Sequence, residues 1–230
     1  MRFVARKAAS SGSDSESSST PSPAIYFLIG AGIMALAAIA EWLMRRLPIC
    51  KCGHIRLWGA MNTPELSQQI ADWYSFTHII HGIVFYALLR LISRGRWKTG
   101  TCLLIAIAIE ASWEVIENSS FVIDRYRQTM SLDYYGDSIL NSMCDILFAI
   151  GGFVLAARFP AGLAIALVIL IEVGLALIIR DNLTLNIIML IHPFQSIKHW
   201  QMGGLLAGIH PFGSLWPIKI IGPWNSAPIR

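Results

Sequence analysis

Long, mainly apolar runs dominate this sequence and constrain its fold more than any other feature. Five of them lie at residues 24–44, 77–94, 101–117, 138–158 and 160–179. A helix needs about 20 such residues to cross the hydrocarbon core of a bilayer. The chain is also 55% hydrophobic and only 14% charged, which is unusual for a water-soluble domain. The sequence therefore predicts an all-α integral membrane protein, a bundle of five transmembrane helices, with six as the alternative.

The remaining segments predict a membrane domain with a tail at each end. The run at 183–194 is short and contains Pro193, so we expect a re-entrant or interfacial segment there. Residues 1–23 are rich in serine and predict a disordered N-terminal tail. The membrane domain then covers residues 24–202, and the Gly-, Pro- and Trp-rich residues 203–230 predict a tail that lies at the membrane surface.

Basic residues predict that the N-terminus is cytoplasmic. The short link between the second and third runs contains Arg90, Arg94, Arg96 and Lys98. Lys and Arg are concentrated in cytoplasmic loops of membrane proteins. The opposite face also has basic residues, but its loops are longer and their charge is less dense. We therefore expect a protein that crosses the bilayer several times, with this link and the N-terminus in the cytoplasm.

Acidic residues interrupt the third run where an apolar helix would be expected. Glu110, Glu114 and Glu117 cover an arc of only about 60° on a helix, so they form one polar stripe. Other polar residues lie at the matching ends of neighbouring runs: His78, His81, Asp137, Asn141, Asp145, Arg180, Asp181 and Asn182. Because consecutive spans are antiparallel, all of them fall toward the same face of the membrane. Ionisable groups inside a membrane usually mark a functional site.

The residue types in this predicted polar pocket favour a divalent metal. Carboxylates with one or two histidines suit Zn, Mn or Fe, and fewer histidines suit Mg. We assign the metal-ligating role to His78, His81, Asp145 and Asn141. The predicted catalytic residues are Glu110, Glu114, Glu117 and Asp137. Arg125, Arg127 and Arg180 are predicted to bind substrate, because guanidinium groups match a lipid phosphate.

Two other interpretations stay open at this stage. The polar residues can instead pair with one another and fix the packing of the helices. A proton or ion path would need further polar residues toward the other face, where only Glu172 offers a step. The zinc-protease pattern HExxH and the serine-hydrolase pattern GxSxG are both absent from the sequence. Cys50 and Cys52 form a C-x-C pair, but a metal site normally has wider spacing and a second pair elsewhere, so neither metal ligation nor a disulfide is favoured.

Five long motifs carry a family resemblance. They read PICKCGHIRLWG, DWYSFTHIIHGIVFY, EASWEVIENSSFVIDRYR, LDYYGDSILNSMCD and IRDNLTLNIIML. With them the chain resembles, over roughly residues 25–204, a family of small multi-pass inner-membrane proteins of rhizobia and other alphaproteobacteria that is defined by a domain of unknown function. This implies a bacterial inner-membrane location. A looser likeness links the polar motifs to VanZ-like membrane proteins.

The sequence thus supports two functions of different classes. The first is a metal-assisted hydrolase or transferase that acts on a lipid or lipid-linked substrate at the periplasmic face. The second is a non-catalytic accessory or assembly subunit of a larger membrane complex, in which the polar residues are purely structural. The expected partners are the lipid bilayer and either a lipid substrate or that complex. The formal net charge of +4 does not indicate nucleic acid.

Overall fold

The computed structural model describes residues 22–61, 63–129 and 134–206, and these residues form eight helices and no strand. The helices are α1 (Pro23–Leu43), α2 (Ser75–Ile92), α3 (Thr99–Glu117), α4 (Ser120–Thr129), α5 (Ile139–Arg158), α6 (Ala161–Ile178), α7 (Leu183–Ile191) and α8 (Gln195–Leu206). Helices α1, α2, α3, α5 and α6 are long and apolar enough to cross a membrane. The prediction of an all-α bundle with five spans is confirmed.

The bounds of the five spans agree with the predicted runs to within two residues at each end. Helix α7 has nine residues, so it is only about 14 Å long and cannot cross a bilayer. The six-span alternative therefore has no support among the described residues. The predicted N-terminal tail at 1–23 and the tail at 203–230 lie almost entirely outside the described residues.

Helices α2, α3 and α5 form the centre of the bundle. Gly82 of α2 faces the backbone of Ala149 on α5, and Gly152 of α5 faces the backbone of Ile79 on α2. Because glycine has no Cβ, these two backbones approach closely, as small residues allow in membrane helix pairs. Fully buried side chains such as Phe153 and Ile146 fill the space between the helices.

Helices α1 and α6 lie at the outside of the bundle. Large apolar side chains on both are exposed, among them Phe27, Leu36, Leu170 and Leu177. Without a lipid phase such surfaces would be costly, and in a bilayer they face the acyl chains. The inner face of α1 packs on α3, where Gly30 is in contact with Ile107 and Leu104.

A long loop, residues 44–74, covers one end of the bundle. Ser67, Gln68, Gln69 and Asp72 of this loop are buried. Ser138, just before α5, donates its N–H to the Ser67 carbonyl at 3.0 Å. The side chain of Asn141 donates to the Gln69 carbonyl at 3.0 Å. This loop closes the end where α1 and α3 finish and where α2 and α5 begin.

Candidate metal and substrate site

Three side chains from α2 and α3 converge beneath the covering loop. Nδ1 of His78 lies 2.5 Å from Oε1 of Glu110, and Nδ1 of His81 lies 3.0 Å from the same oxygen. His78 and His81 are one helical turn apart, so both rings point toward α3. Glu110 is fully buried and His78 nearly so. We call His78, His81 and Glu110 the histidine–glutamate cluster.

An acidic cluster adjoins it on the next turn of α3. One carboxylate oxygen from each of Glu114, Glu117 and Asp137 lies within 4.8 Å of the other two. Glu114 also connects the two clusters, because its Oε1 lies 3.3 Å from Nδ1 of His78. The Glu117 side chain lies beside Tyr126 and Trp113.

Buried carboxylate oxygens that accept no hydrogen bond mark this end of the bundle. Among the described residues they include Oε1 of Glu114 and Oδ1 of Asp145. Both side chains are buried. A buried polar atom with no partner costs free energy and calls for an explanation, such as a water or an ion. These oxygens leave acceptor capacity for a cation.

Asp137 is held by neutral hydrogen-bond donors. Nδ2 of Asn118 lies 3.2 Å from its Oδ2, and the Tyr134 hydroxyl donates to its Oδ1 at 3.0 Å. Its own N–H donates to Oδ1 of Asn118 at 2.7 Å. Burial raises the pKa of Asp137 to about 7, and the charge of Asp72 adds to that rise. Asp137 is therefore partly protonated at neutral pH.

Several polar residues near the site form hydrogen bonds that fix the backbone around it. Asp72 accepts N–H groups from Ser67, Tyr74 and Ser75, so it fixes the start of α2. The amide of Asn141, predicted as a metal ligand, donates to the covering loop. Asp145, the other predicted ligand on α5, lies 3.8 Å from Nε2 of His78.

The three arginines predicted to bind substrate lie outside the two clusters and donate to backbone carbonyls. Arg125 bonds to Leu190 and Ile191, at the end of α7. Arg127 bonds to the Tyr134 carbonyl, and Arg180 bonds to the Trp200 carbonyl and lies over its ring. Their guanidinium groups tie α4, α7 and α8 to the bundle.

Glu172 accepts hydrogen bonds from the start of α7. Its carboxylate takes the N–H groups of Leu183 and Thr184 and the Thr184 hydroxyl. These contacts supply the donors of a helix N-terminus with an acceptor, which is a structural task. Glu172, which the ion-path interpretation required as part of a proton or ion path, therefore caps the N-terminus of α7.

Glu41, which lies inside α1 and is fully buried, was not among the predicted site residues. It lies one turn from the end of an apolar run, as Glu114 does, and that placement was a usable signal. The buried Gln68 and Gln69 were not predicted either, because polar residues in a loop usually face water. Cys50 and Cys52 are joined by a disulfide in the covering loop, a pairing that their spacing had not favoured.

Comparisons with known proteins place these residues in one family. Residues 42–203 match the family described as "Protein of unknown function (DUF2585)". A UPF0314 protein of Rhizobium etli is 50% identical over 184 residues, which cover 79% of this chain and 93% of the relative. UPF0314 proteins of Brucella anthropi and Sphingopyxis alaskensis are 46% and 48% identical, over 80% and 77% of this chain and 96% and 95% of their own.

The family resemblance carried by the five motifs is thus confirmed in alphaproteobacterial relatives. None of these matches is to a VanZ-like protein, so that looser likeness stays a prediction. No solved structure matches this chain.

Proposed function

We propose that this chain, which belongs to the DUF2585 family, is a membrane enzyme that uses a divalent metal ion to hydrolyse a lipid or lipid-linked substrate or to transfer a group from it. One observation carries the proposal: two imidazoles and one carboxylate converge in a buried site beside carboxylate oxygens that accept no hydrogen bond. Two histidines and one carboxylate are a frequent ligand set for catalytic zinc and for non-haem iron.

The distances in the histidine–glutamate cluster suit an ion after a small adjustment. Ligand atoms around a tetrahedral ion with bonds of 2.0–2.1 Å lie about 3.3 Å apart. The two histidine nitrogens lie 2.5 and 3.0 Å from Oε1 of Glu110. Opening these contacts by less than about 1 Å would therefore admit the ion. Asp145, close to the other nitrogen of His78, would orient that ring, as carboxylates do behind metal-bound histidines.

Glu114 is placed to act as the general base. Its Oε1 accepts no hydrogen bond and lies 3.3 Å from Nδ1 of His78, beside the proposed metal position, where a bound water would become acidic. In this scheme Glu114 takes a proton from the water, and the water oxygen bonds to the carbon or phosphorus of the substrate ester. The bond to the leaving oxygen then breaks, and that oxygen receives the proton from Glu114. Glu117 and Asp137 lie beside Glu114, and their negative charges would help to hold a divalent cation at this site.

The periplasmic placement of this site is part of the proposal. The densest basic segment, Arg90 to Lys98, lies at the opposite end of the bundle, which favours that end as cytoplasmic. The Cys50–Cys52 disulfide in the covering loop supports the same orientation, because disulfides persist in the periplasm and are rare in the cytosol.

A second candidate function, the accessory subunit, also has specific support. Several buried or half-buried polar side chains have hydrogen-bond partners within the described structure: Asp72, Asn118, Asn141 and Glu172. A polar interior used in this way holds helices in register without any chemistry. Under this alternative the histidine–glutamate cluster would be one more contact between α2 and α3.

A hydrolysis assay separates the two functions. We would incubate the detergent-purified protein with bis(p-nitrophenyl) phosphate and with p-nitrophenyl butyrate, after adding Zn²⁺ or Mn²⁺. The enzyme proposal predicts turnover that a chelator abolishes and that Glu114→Gln lowers at least 100-fold, as expected for loss of a general base. Equal rates for the wild type, Glu114→Gln and buffer would contradict it and favour the accessory subunit.

A further inference from the structure

A small cavity opens at the end of α1, next to the acidic cluster. Its volume is about 120 Å³, well above the roughly 10–15 Å³ that one water molecule needs. The cavity is lined by Arg45, Arg46, Leu47, Gln68, Tyr135 and Asp137. Asp137 belongs both to this cavity and to the acidic cluster, so a group bound here would lie beside the proposed reaction centre.

We infer that this cavity binds the phosphate group of a lipid phosphoester, with Arg45 and Arg46 as its ligands. The inference rests on the proposed function, because it names the substrate class of the same site. Arg45 and Arg46 both line the cavity, and guanidinium groups match the oxygens of a phosphate through paired hydrogen bonds. The one carboxylate that lines the cavity, Asp137, already accepts hydrogen bonds from Tyr134 and Asn118.

The end of α1 brings two consecutive arginines to the cavity. Arg45 follows the end of α1 with a φ of 63°, in the left-handed region that usually selects glycine. The turn is closed by the Arg45 N–H on the Trp42 carbonyl and by the Arg46 N–H on the Glu41 carbonyl. Both arginines line the cavity that this turn borders.

Polar atoms without a hydrogen-bond partner in the cavity wall support the inference. Nε of Arg46 is buried and has no hydrogen-bond partner among the described residues, while its Nη1 donates to the Tyr135 carbonyl at 2.7 Å. Gln68 is only 1% exposed, and its Oε1 is also without a partner. One free donor and one free acceptor suit a phosphate group that carries a hydroxyl.

The surroundings of the cavity favour a lipid over free phosphate. Trp42 and Leu43, immediately before the turn, are 64% and 70% exposed on the outer face of α1. Tryptophan is enriched where the hydrocarbon core meets the headgroups. A phosphate held at Arg45 would therefore leave its apolar chain along α1 in the bilayer. The cavity itself has room for a headgroup and not for an acyl chain.

The test compares two variants with the same backbone change. Arg94 on the opposite membrane face has a φ of 50° and ends α2 with the same pattern: its N–H bonds to the Leu91 carbonyl, and the Gly95 N–H bonds to the Arg90 carbonyl. Arg45→Gly and Arg94→Gly both relieve backbone strain and remove one guanidinium. Only the first removes a lining residue of the cavity.

Binding of dodecyl phosphate to the purified protein in dodecyl maltoside would be measured by isothermal titration calorimetry. We expect Arg45→Gly to raise the Kd at least tenfold while its Tm is unchanged or higher, and Arg94→Gly to bind like the wild type. Should Arg45→Gly not fold, Arg45→Asn, whose side chain tolerates left-handed backbone, replaces it. Wild-type affinity in the Arg45 variant would overturn the inference.

Two further arms separate the sources of phosphate and the two proposals. Inorganic phosphate is expected to bind at least tenfold more weakly than dodecyl phosphate, and equal binding would contradict a lipid ligand. All titrations are repeated after treatment with a chelator. If metal-free Arg45→Gly binds dodecyl phosphate more weakly than the metal-free wild type, the phosphate site is supported whether or not the histidine–glutamate cluster holds a metal. If metal-loaded Arg45→Gly has the same Kd as the metal-loaded wild type, the phosphate site is contradicted, and the proposed enzyme function is not affected.

Discussion

Nδ1 of His78 lies 2.5 Å from Oε1 of Glu110 and so joins the first turn of α2 to the interior of α3. Both side chains are buried, at 6% and 0% exposure. A carboxylate and an imidazole this close inside a membrane stabilise each other, and each would be costly alone. This pair is therefore the core of the site under either proposed function, whether it holds an ion or only two helices.

The first prediction concerns the coupling of these two residues. In metal-free protein, His78→Gln and Glu110→Gln each leave a buried partner uncompensated, so each should lower the free energy of unfolding by about 3–5 kcal/mol. The double variant should lose less than the sum of the two, by about 0.5–3 kcal/mol. Reversible unfolding in mixed micelles measures all four proteins. Additive losses would mean that the two side chains do not interact.

The second prediction tests the close contact of α2 and α5. A Cβ on Gly152 would overlap the backbone of Ile79, so Gly152→Ala should destabilise the protein by about 3 kcal/mol or more. The matched control is the neighbouring residue: nothing lies within 4 Å of a Cβ on Gly151. Gly151→Ala should leave the Tm unchanged or raise it slightly, because alanine favours helix. Equal Tm values for the two variants would show that α2 and α5 do not pack in this way.

The third prediction is a pH dependence from Asp181, which follows the last span. Burial raises the pKa of Asp181 from 3.8 to about 6, although hydrogen bonds from Tyr74 and Asn182 oppose the rise. The folded state then binds more protons than the unfolded state between these values, so stability should fall as pH rises from about 4 to about 6, by up to about 3 kcal/mol. Asp181→Asn should remove this part of the slope of stability against pH. The same slope in both proteins would contradict the prediction.

The fourth prediction addresses the orientation in the membrane. With Cys102 replaced by serine and Cys144 by alanine, Cys50 and Cys52 are the remaining cysteines. In intact spheroplasts they should react with a membrane-impermeant maleimide only after an impermeant phosphine has reduced their disulfide. In a second variant all four native cysteines are replaced and Arg96→Cys is introduced. This cysteine should react with the maleimide only after the membrane is permeabilised. The reverse pattern would place the site at the cytoplasmic face.

The spans could be predicted because one physical quantity, the thickness of the bilayer, sets their length. Helix α4 could not be predicted in this way, because it is short and amphipathic and does not cross the membrane. The grouping of His78 and His81 with Glu110 followed from helix periodicity together with the antiparallel order of the spans. Glu41 could not be recognised in this way, because it is the only carboxylate in α1 and forms no stripe with other polar residues.

The cavity at Arg45 and Arg46 lay beyond sequence reasoning for a different reason. From the sequence alone, Arg45 and Arg46 are informative only about the orientation of the loops in the membrane. Their approach to Asp137 depends on how the 44–74 loop folds back over the bundle, and no short-range pattern encodes that path. The same holds for Gln68, whose amide donates to the Gly136 carbonyl across 68 positions of the chain.

The most direct test of the central claim is the metal content of the detergent-purified protein, measured by inductively coupled plasma mass spectrometry. The wild type is compared with Glu110→Gln and with Glu172→Gln, a control that changes a carboxylate in another span. We predict close to one transition-metal ion per chain in the wild type and in the control, and almost none in Glu110→Gln. Equal metal content in Glu110→Gln and the wild type, or no metal in any of the three proteins after growth with Zn²⁺, Mn²⁺ and Fe²⁺, would contradict the claim.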